Sequence, residues 1–271
     1  MQLGISTYTY TWAIGVPGHE PAVRMNAFDL LEKAKDLGAV RVQIADNLPL
    51  HALPEPVRKQ IAGRAHELDL VIETGMRGIR PDALEKYIAI AEEMSSPILR
   101  AVIDEPGWTP SPDDVVAIIK PLVRQFEQRG IILAIENHDR LEASVFASII
   151  ERVDSRHVGI CLDTANSFGA GEGVRTVVDC LAPHTVNLHV KDFCVRRVDH
   201  KMGFVIEGTP AGQGMLPIPQ LLERLSSCGR CQSAILELWT PPEPTIGQTI
   251  IKEARWAAES FACLRTIVPR N

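Results

Sequence analysis

Residues 131–163 read IILAIENHDRLEASVFASIIERVDSRHVGICLD. The stretch opens on a continuous apolar run, Ile131–Glu136. It passes to Ala143–Arg152, where apolar residues recur at three- and four-residue spacing, and returns to a second apolar run, Val158–Asp163. A run without polar alternation suits a strand covered on both faces, as in a parallel sheet, and the segment between suits an amphipathic helix. The same unit recurs along the chain. Further apolar runs are Gln2–Ser6, Val40–Ala45, Leu70–Thr74, Ile98–Ile103, Thr185–Val190 and Ala234–Leu238. Helical periodicity recurs over Asn26–Ala34, Pro54–Leu68, Pro81–Met94, Pro112–Arg129, Gly171–Leu181, Pro217–Ser227 and Thr249–Thr266. Eight units in 271 residues predict an α/β protein, a closed (β/α)₈ TIM barrel forming one domain over residues 1–271. An open doubly wound sheet fits less well, because no Gly-x-Gly-x-x-Gly follows the first strand.

Hydrophobic residues make up 45% of the chain and charged residues 23%, a globular balance that excludes a disordered or collagen-like protein. The net charge of −6 argues against a nucleic-acid partner. No apolar run approaches the ~20 residues that cross a bilayer. The start, Met1-Gln2-Leu3-Gly4-Ile5-Ser6, has no basic region ahead of an apolar stretch. The six Cys read as reduced thiols, so a cytoplasmic location without membrane attachment is expected. Cys228-Gly229-Arg230-Cys231 has no second pair and reads as a helix C-terminal turn with two incidental thiols. Gly208–Gly214 is glycine-rich but follows no strand that would cradle a phosphate. One interval is long: 48 residues from His189 to Glu237, against 27 from Glu136 to Asp163. The excess, at 193–216, reads as a long loop carrying Arg196, Arg197, His200, Lys201 and Glu207, either a binding loop or solvated surface.

The C-terminal ends of barrel strands face the site. Four consecutive runs end in or near Glu136, Asp163, His189 and Glu237. Singly, each reads equally as a polar strand end held by a salt bridge. Together they crowd three carboxylates into a semi-buried space, which is costly without compensating charge. A divalent cation is the simplest compensation, and three carboxylates with one imidazole suit Mn²⁺ or Mg²⁺, with Co²⁺ or Zn²⁺ also compatible. Glu73, Arg100, His138 and Arg140 are candidates for binding hydroxyl or oxyanion groups, or for rim ion pairs. Tyr8, Tyr10, Trp12 and Trp239 offer an aromatic wall for a sugar ring, or a cover for the barrel end.

The segments Glu136-Asn137-His138-Asp139-Arg140, Leu162-Asp163-Thr164-Ala165-Asn166, His189-Val190-Lys191-Asp192 and Leu236-Glu237-Leu238 carry a resemblance. The chain resembles the xylose isomerase-like TIM barrels, in the sugar phosphate isomerase/epimerase branch that includes ketose 3-epimerases. The resemblance implies one divalent ion, usually Mn²⁺, held by Glu136, Asp163, His189 and Glu237. It implies a small-molecule carbohydrate substrate and isomerisation or epimerisation through an enediolate, with Glu136 and Glu237 as acid and base. His138, Asn166, Arg196, Arg100 and Glu73 would contact the substrate, and a homo-oligomer is in keeping with the family. The chain departs from the ketose 3-epimerase pattern in two places. Asn166 stands where those enzymes commonly have His, and Arg196 falls one position late. Lys191, beside the expected metal His, suits a base or a group that polarises a leaving hydroxyl. A metal-dependent dehydratase or lyase on a keto-sugar or keto-inositol is therefore the alternative, with Lys191 as a third catalytic candidate. Abasic-site endonucleases share the barrel, but their three-metal cluster needs more His ligands than this chain places at strand ends. A non-catalytic binding role is the remaining class.

Overall fold

The computed structural model describes residues 1–268. Its strands are β1 (Gln2–Ser6), β2 (Arg41–Ile44), β3 (Val71–Arg77), β4 (Ile98–Val102), β5 (Ile132–Glu136), β6 (Val158–Asp163), β7 (Thr185–Val190), β8 (Phe193–Arg197), β9 (Phe204–Gly208) and β10 (Ser233–Leu236). Eight of them close into a parallel cylinder in the order β1-β2-β3-β4-β5-β6-β7-β10, with β10 hydrogen-bonded back to β1. This is a (β/α)₈ barrel, the architecture that the alternating runs predict.

Strand alternation separates two environments. On β5, Leu133 and Ile135 join the large apolar core between sheet and helices, while Ala134 belongs to a second small cluster with Ile98, Cys161 and Val186. Glu136 shares the parity of Ala134 and therefore points into the cylinder. The same argument turns Arg100 inward beside Leu99 and Ala101, and Asp163 inward beside Leu162. Apolar residues thus hold the wall from outside, and the inward positions near the C-terminal mouth are left for polar groups.

Local chemistry sets the helix boundaries. Asn26 accepts from the N–H groups of Phe28 and Asp29 to start the helix Ala27–Leu37, and Gly38 ends it with φ +76°. The expected single helix over 112–129 is instead two, Pro112–Ile119 and Val123–Arg129, joined by a 3-10 turn at Lys120–Leu122. Pro121 has no N–H to continue the ladder. Gly229 caps the helix Ile218–Cys228, as the Cys-Gly-Arg-Cys reading expects, and both thiols are free. Among the described residues no helix is long and apolar enough to cross a membrane.

The interval after β7 differs from the expected loop. It contains the antiparallel hairpin β8–β9, in which Val195 pairs with Ile206 and Arg196 with Val205. The glycine-rich stretch that follows wraps around a buried carboxylate. Asp192 Oδ1 accepts from the N–H groups of Phe193 (2.8 Å) and Leu216 (3.0 Å), and Oδ2 accepts from Gly212 (2.9 Å) and Gly214 (3.0 Å). A Cβ at Gly214 would fall 2.2 Å from Asp192 Oδ1, so the glycine is there to let the backbone close on the carboxylate. These N–H groups are therefore committed to an internal anion. Asp192→Asn replaces one acceptor oxygen by a donor facing N–H groups, and should lower the unfolding free energy by about 2–4 kcal/mol in urea titration, with far-UV circular dichroism unchanged. A loss below ~0.5 kcal/mol would remove Asp192 as the anchor of this loop.

Candidate active site

Glu136 and Asp163 end β5 and β6, His189 lies on β7 in register with Asp163, and Glu237 follows β10 with its N–H bonded to Val190 O at 3.1 Å. All four side chains are buried. His189 Nδ1 stands 3.4 Å from Glu136 Oε2, 3.7 Å from Asp163 Oδ2 and 3.4 Å from Glu237 Oε1. Asp163, His189 and Glu237 each offer a donor atom within 4.8 Å of the other two, whereas Glu136 shares such a group with His189 and Cys161 instead.

Neighbouring groups fix these side chains. His189 Nε2 lies 2.8 Å from Gln43 Oε1, and Gln43 Nε2 donates at 3.1 Å to both Glu73 Oε2 and Asn187 Oδ1. With its amide nitrogen so engaged, Gln43 presents only its oxygen to the imidazole. Nε2 then carries the proton, and the Nδ1 lone pair faces the carboxylates. Asp163 Oδ1 accepts from the N–H groups of Ala165 and Asn166, both at 2.8 Å, and Ser6 Oγ donates to Glu237 Oε1 at 2.9 Å. Two atoms are left over. His189 Nδ1 and Asp163 Oδ2 are buried and make no hydrogen bond among the described residues. Lys191 Nζ is 2.9 Å from Asp163 Oδ2 as an ion pair without hydrogen-bond alignment, and 3.1 Å from Glu237 Oε2. Orphaned donor atoms of this kind, one nitrogen and one oxygen facing further carboxylate oxygens, fit a divalent cation.

Positive charge is what the cluster calls for. Burial opposes ionisation of Asp163, but Lys191 and His189 hold its carboxyl well below the usual range. Burial likewise opposes a charged imidazole, yet Glu237 and Glu136 outweigh it and raise the His189 pKa. Burial opposes a charged Lys191 and is overcome by Asp163 and Glu237. The two glutamates are not equivalent. Glu136 is bound on Oε2 by Arg100 Nε and on Oε1 by Asn166 Nδ2 (2.8 Å), and Arg100 keeps it ionised against burial. Arg100, itself buried, continues to Asp46 Oδ1 at 2.6 Å.

A cavity of about 310 Å³ opens above the cluster, lined by Tyr8, Trp12, Arg77, His138, Trp239 and others, together with Arg100, Glu136, Asn166, Lys191 and Glu237. Of the residues singled out from sequence, the structure brings Glu136, Glu237, Lys191, Arg100, His138 and Asn166 to this cavity, while Asp163 and His189 are fully buried against Glu136, Glu237 and Lys191 and do not line it. Four are placed elsewhere. Glu73 lies deeper in the barrel, paired with Arg41 at 3.2 Å and bonded to Gln43 and Asn187. Arg196 is exposed on the hairpin and paired across it with Glu207 at 3.0 Å. Tyr10 is buried outside the cavity, and Arg140 makes a rim pair with Asp104 at 2.6 Å. Sequence reasoning missed Arg77 and Asp46, although Asp46 directly follows the second apolar run.

Two carboxylates held down by Arg100 make a pH prediction. A carboxylate whose pKa is depressed in the folded state contributes stability above its unfolded value, about 4, and loses it as pH falls toward the folded value. Asp46, opposed by burial but lowered by Arg100 and Arg77, and Glu136 both follow that sign. Arg100→Met should cost about 3–5 kcal/mol at pH 7 by stranding buried charge, and should flatten the fall in stability between pH 5 and pH 3. Parallel stability–pH curves for the two proteins would contradict this account.

The comparisons agree with this fold. The model of the family described as xylose isomerase-like TIM barrel matches residues 31–267. A 3-oxo-isoapionate decarboxylase of Pectobacterium atrosepticum is 28% identical over 269 residues, covering 99% of this chain and 97% of that protein. Among solved structures, a D-psicose 3-epimerase of Clostridium cellulolyticum H10 superposes with a TM-score of 0.73 at 16% identity over the whole of both chains. A xylose isomerase-like TIM barrel protein of Mycobacterium smegmatis, determined in complex with magnesium, gives 0.66 at 13% identity over 97% of each chain. With a closed eight-stranded barrel and a family match across most of its length, the chain belongs to the xylose isomerase-like TIM barrel family.

Proposed function

We propose that this protein is a divalent-metal-dependent lyase that removes CO₂ from a 3-oxo sugar acid. The relative of known activity, a decarboxylase similar over nearly the full length of both chains, supports the substrate class. The observation that carries the reaction type is that neither glutamate keeps a free oxygen. Epimerisation asks for two carboxylates free to exchange a proton on opposite faces of one carbon. Here Arg100 and Asn166 occupy both oxygens of Glu136, and Ser6 and Lys191 both oxygens of Glu237, so neither is free to exchange a proton. Decarboxylation of a 3-oxo acid asks for no base, only an electrophile at the oxo group and one proton for the carbon that loses CO₂.

In this reading Asp163, His189, Glu237 and Glu136 hold the ion, and Mn²⁺ is the first choice for such a donor set, with Mg²⁺ next. A divalent ion there supplies Lewis acidity at the substrate's oxo oxygen. The chain's own groups do the rest. Tyr8, Trp12 and Trp239 confine the sugar skeleton and exclude water from the cavity floor. The bond between the carboxylate carbon and C2 breaks, and its electron pair enters the C2–C3 enolate as CO₂ leaves. Lys191 Nζ, 5.2 Å from the centre of the Trp239 ring, holds a positive charge beside the developing enolate and passes a proton to C2, restoring the ketone. An enolate carbon is a stronger base than an amine, so the raised Lys191 pKa does not prevent the transfer. Water then reprotonates the amine. The unpaired cysteines are in keeping with the cytoplasm as the place of action.

The Mn²⁺-loaded protein should release one CO₂ per turnover of a 3-oxo sugar acid and place one deuterium in the product formed in D₂O. Lys191→Met should lower kcat by about 10²–10⁴-fold with Mn²⁺ still bound. Asp163→Asn keeps the acceptor for the Ala165 and Asn166 N–H groups. It and Glu237→Gln should each weaken Mn²⁺ binding by calorimetry more than the 10–100-fold typical of a supporting residue. Interconversion of D-psicose epimers without CO₂ release would overturn the lyase reading, and stoichiometric metal retained in both variants would overturn the ligand assignment.

A further inference from the structure

The cavity wall opposite the cluster holds a group that the chemistry above does not use. In the closed strand order, β3 stands four places from β7, so Arg77 at the end of β3 faces Lys191 across the barrel mouth. Arg77 Nε donates to Asp46 Oδ2 at 2.9 Å. Its two terminal nitrogens make no hydrogen bond among the described residues, and the side chain is one-third exposed (32%) on the cavity surface. The other cations are committed. Arg100 is spent on Glu136 and Asp46, and Lys191 on Asp163 and Glu237.

Asp46 prepares the free fork. Its Oδ1 holds Arg100 Nη1, while its Oδ2 takes both Arg77 Nε and the Tyr8 hydroxyl at 3.1 Å. The guanidinium plane is therefore set before anything binds, and its open edge is the one that pairs with a carboxylate through two parallel hydrogen bonds. The charge count agrees. Arg77, Arg100 and Lys191 face Asp46, Glu136, Asp163 and Glu237. A divalent ion added to these three cations and four carboxylates leaves a single positive charge, which a monoanion matches and a neutral sugar does not.

We propose that Arg77, oriented by Asp46, is the seat for the substrate carboxylate and selects sugar acids over neutral ketoses. The inference rests on the sugar-acid reading above, and names the residue that enforces it. It also fixes how the contact enters the kinetics. The carboxylate loses its charge as CO₂ departs, so Arg77 stabilises bound substrate more than the transition state. Its removal is expected to raise KM and to leave kcat at or above the native value.

The test uses the full-length Mn²⁺-loaded protein with two unreactive probes, L-threonate and its uncharged counterpart threitol, by calorimetry. The native protein should bind L-threonate more tightly than threitol. Arg77→Gln should weaken L-threonate binding at least about 30-fold, the loss typical of truncating one partner of a buried charge pair, with threitol and Mn²⁺ affinities within threefold of native. Arg77→Lys should recover part of the loss, because one ammonium cannot make the paired contact. Equal binding of both probes by the native protein, or native L-threonate affinity in Arg77→Gln, would overturn the seat even if CO₂ release is observed. An Arg77-dependent preference for L-threonate in a protein that releases no CO₂ would keep the seat and remove the decarboxylase reading.

Discussion

Buried carboxylates that face one another need positive charge, and this requirement organises the barrel mouth. Glu136, Asp163 and Glu237 converge on His189 Nδ1 in a space that water does not reach. Arg100 and Lys191 supply part of the compensation. They do not complete it, since His189 Nδ1 and Asp163 Oδ2 remain without hydrogen bonds among the described residues. Buried polar atoms are normally paired, and two orphans adjoining one another fit a bound cation. Polar residues deeper in the cylinder serve the same end. Glu73 and Asn187 orient Gln43, Gln43 orients His189, and the lone pair is thereby aimed at the carboxylates.

The same constraint explains what the strand ends disclose in the sequence. A carboxylate at the end of an apolar run is out of keeping with its neighbours, so Glu136, Asp163 and Glu237 stand out from residue order alone. His189 stands out for the same reason within Thr185–Val190. Supporting residues are harder to read. Arg77 escapes notice because Gly75 looks like the end of the third run. The glycine is instead a point of close approach, where a Cβ would lie 2.9 Å from Ala45 Cα, and the strand continues through Arg77. That extension moves Glu73 four residues from the mouth, into the layer that carries Gln43, and puts Arg77 where Glu73 was expected. A different signal misplaces Arg196. Phe193–Arg197 and Phe204–Gly208 pair as a hairpin, and a salt bridge across it gives Arg196 to Glu207.

The glycines after the hairpin illustrate how one pattern has two physical uses. A run of N–H groups freed by glycine can surround a ligand's anion or the protein's own. Here Asp192, next to Lys191, supplies the anion, and four backbone N–H groups converge on it. The long segment between β7 and β10 is thereby tied to the floor of the site through the residue beside Lys191. Its position is thus coupled to that of a catalytic candidate by covalent connection.

The fold is shared with epimerases, so a difference in chemistry must lie in a few side chains. The barrel gathers four polar side chains at or beside its strand ends, Glu136, Asp163, His189 and Glu237. What varies is how each is tethered. A glutamate left with a free oxygen beside the substrate can take a proton and return it. A glutamate bound on both oxygens by a guanidinium and an amide, as Glu136 is by Arg100 and Asn166, is fixed as an anion. Asn166 is one of the two points at which this chain departs from the ketose 3-epimerase pattern, and its amide is one of the two tethers on Glu136. Glu237 is tethered on both oxygens as well, by the Ser6 hydroxyl and the Lys191 ammonium. Neither glutamate therefore keeps an oxygen free for proton exchange, an arrangement that suits a reaction in which a carbon receives one proton and gives none.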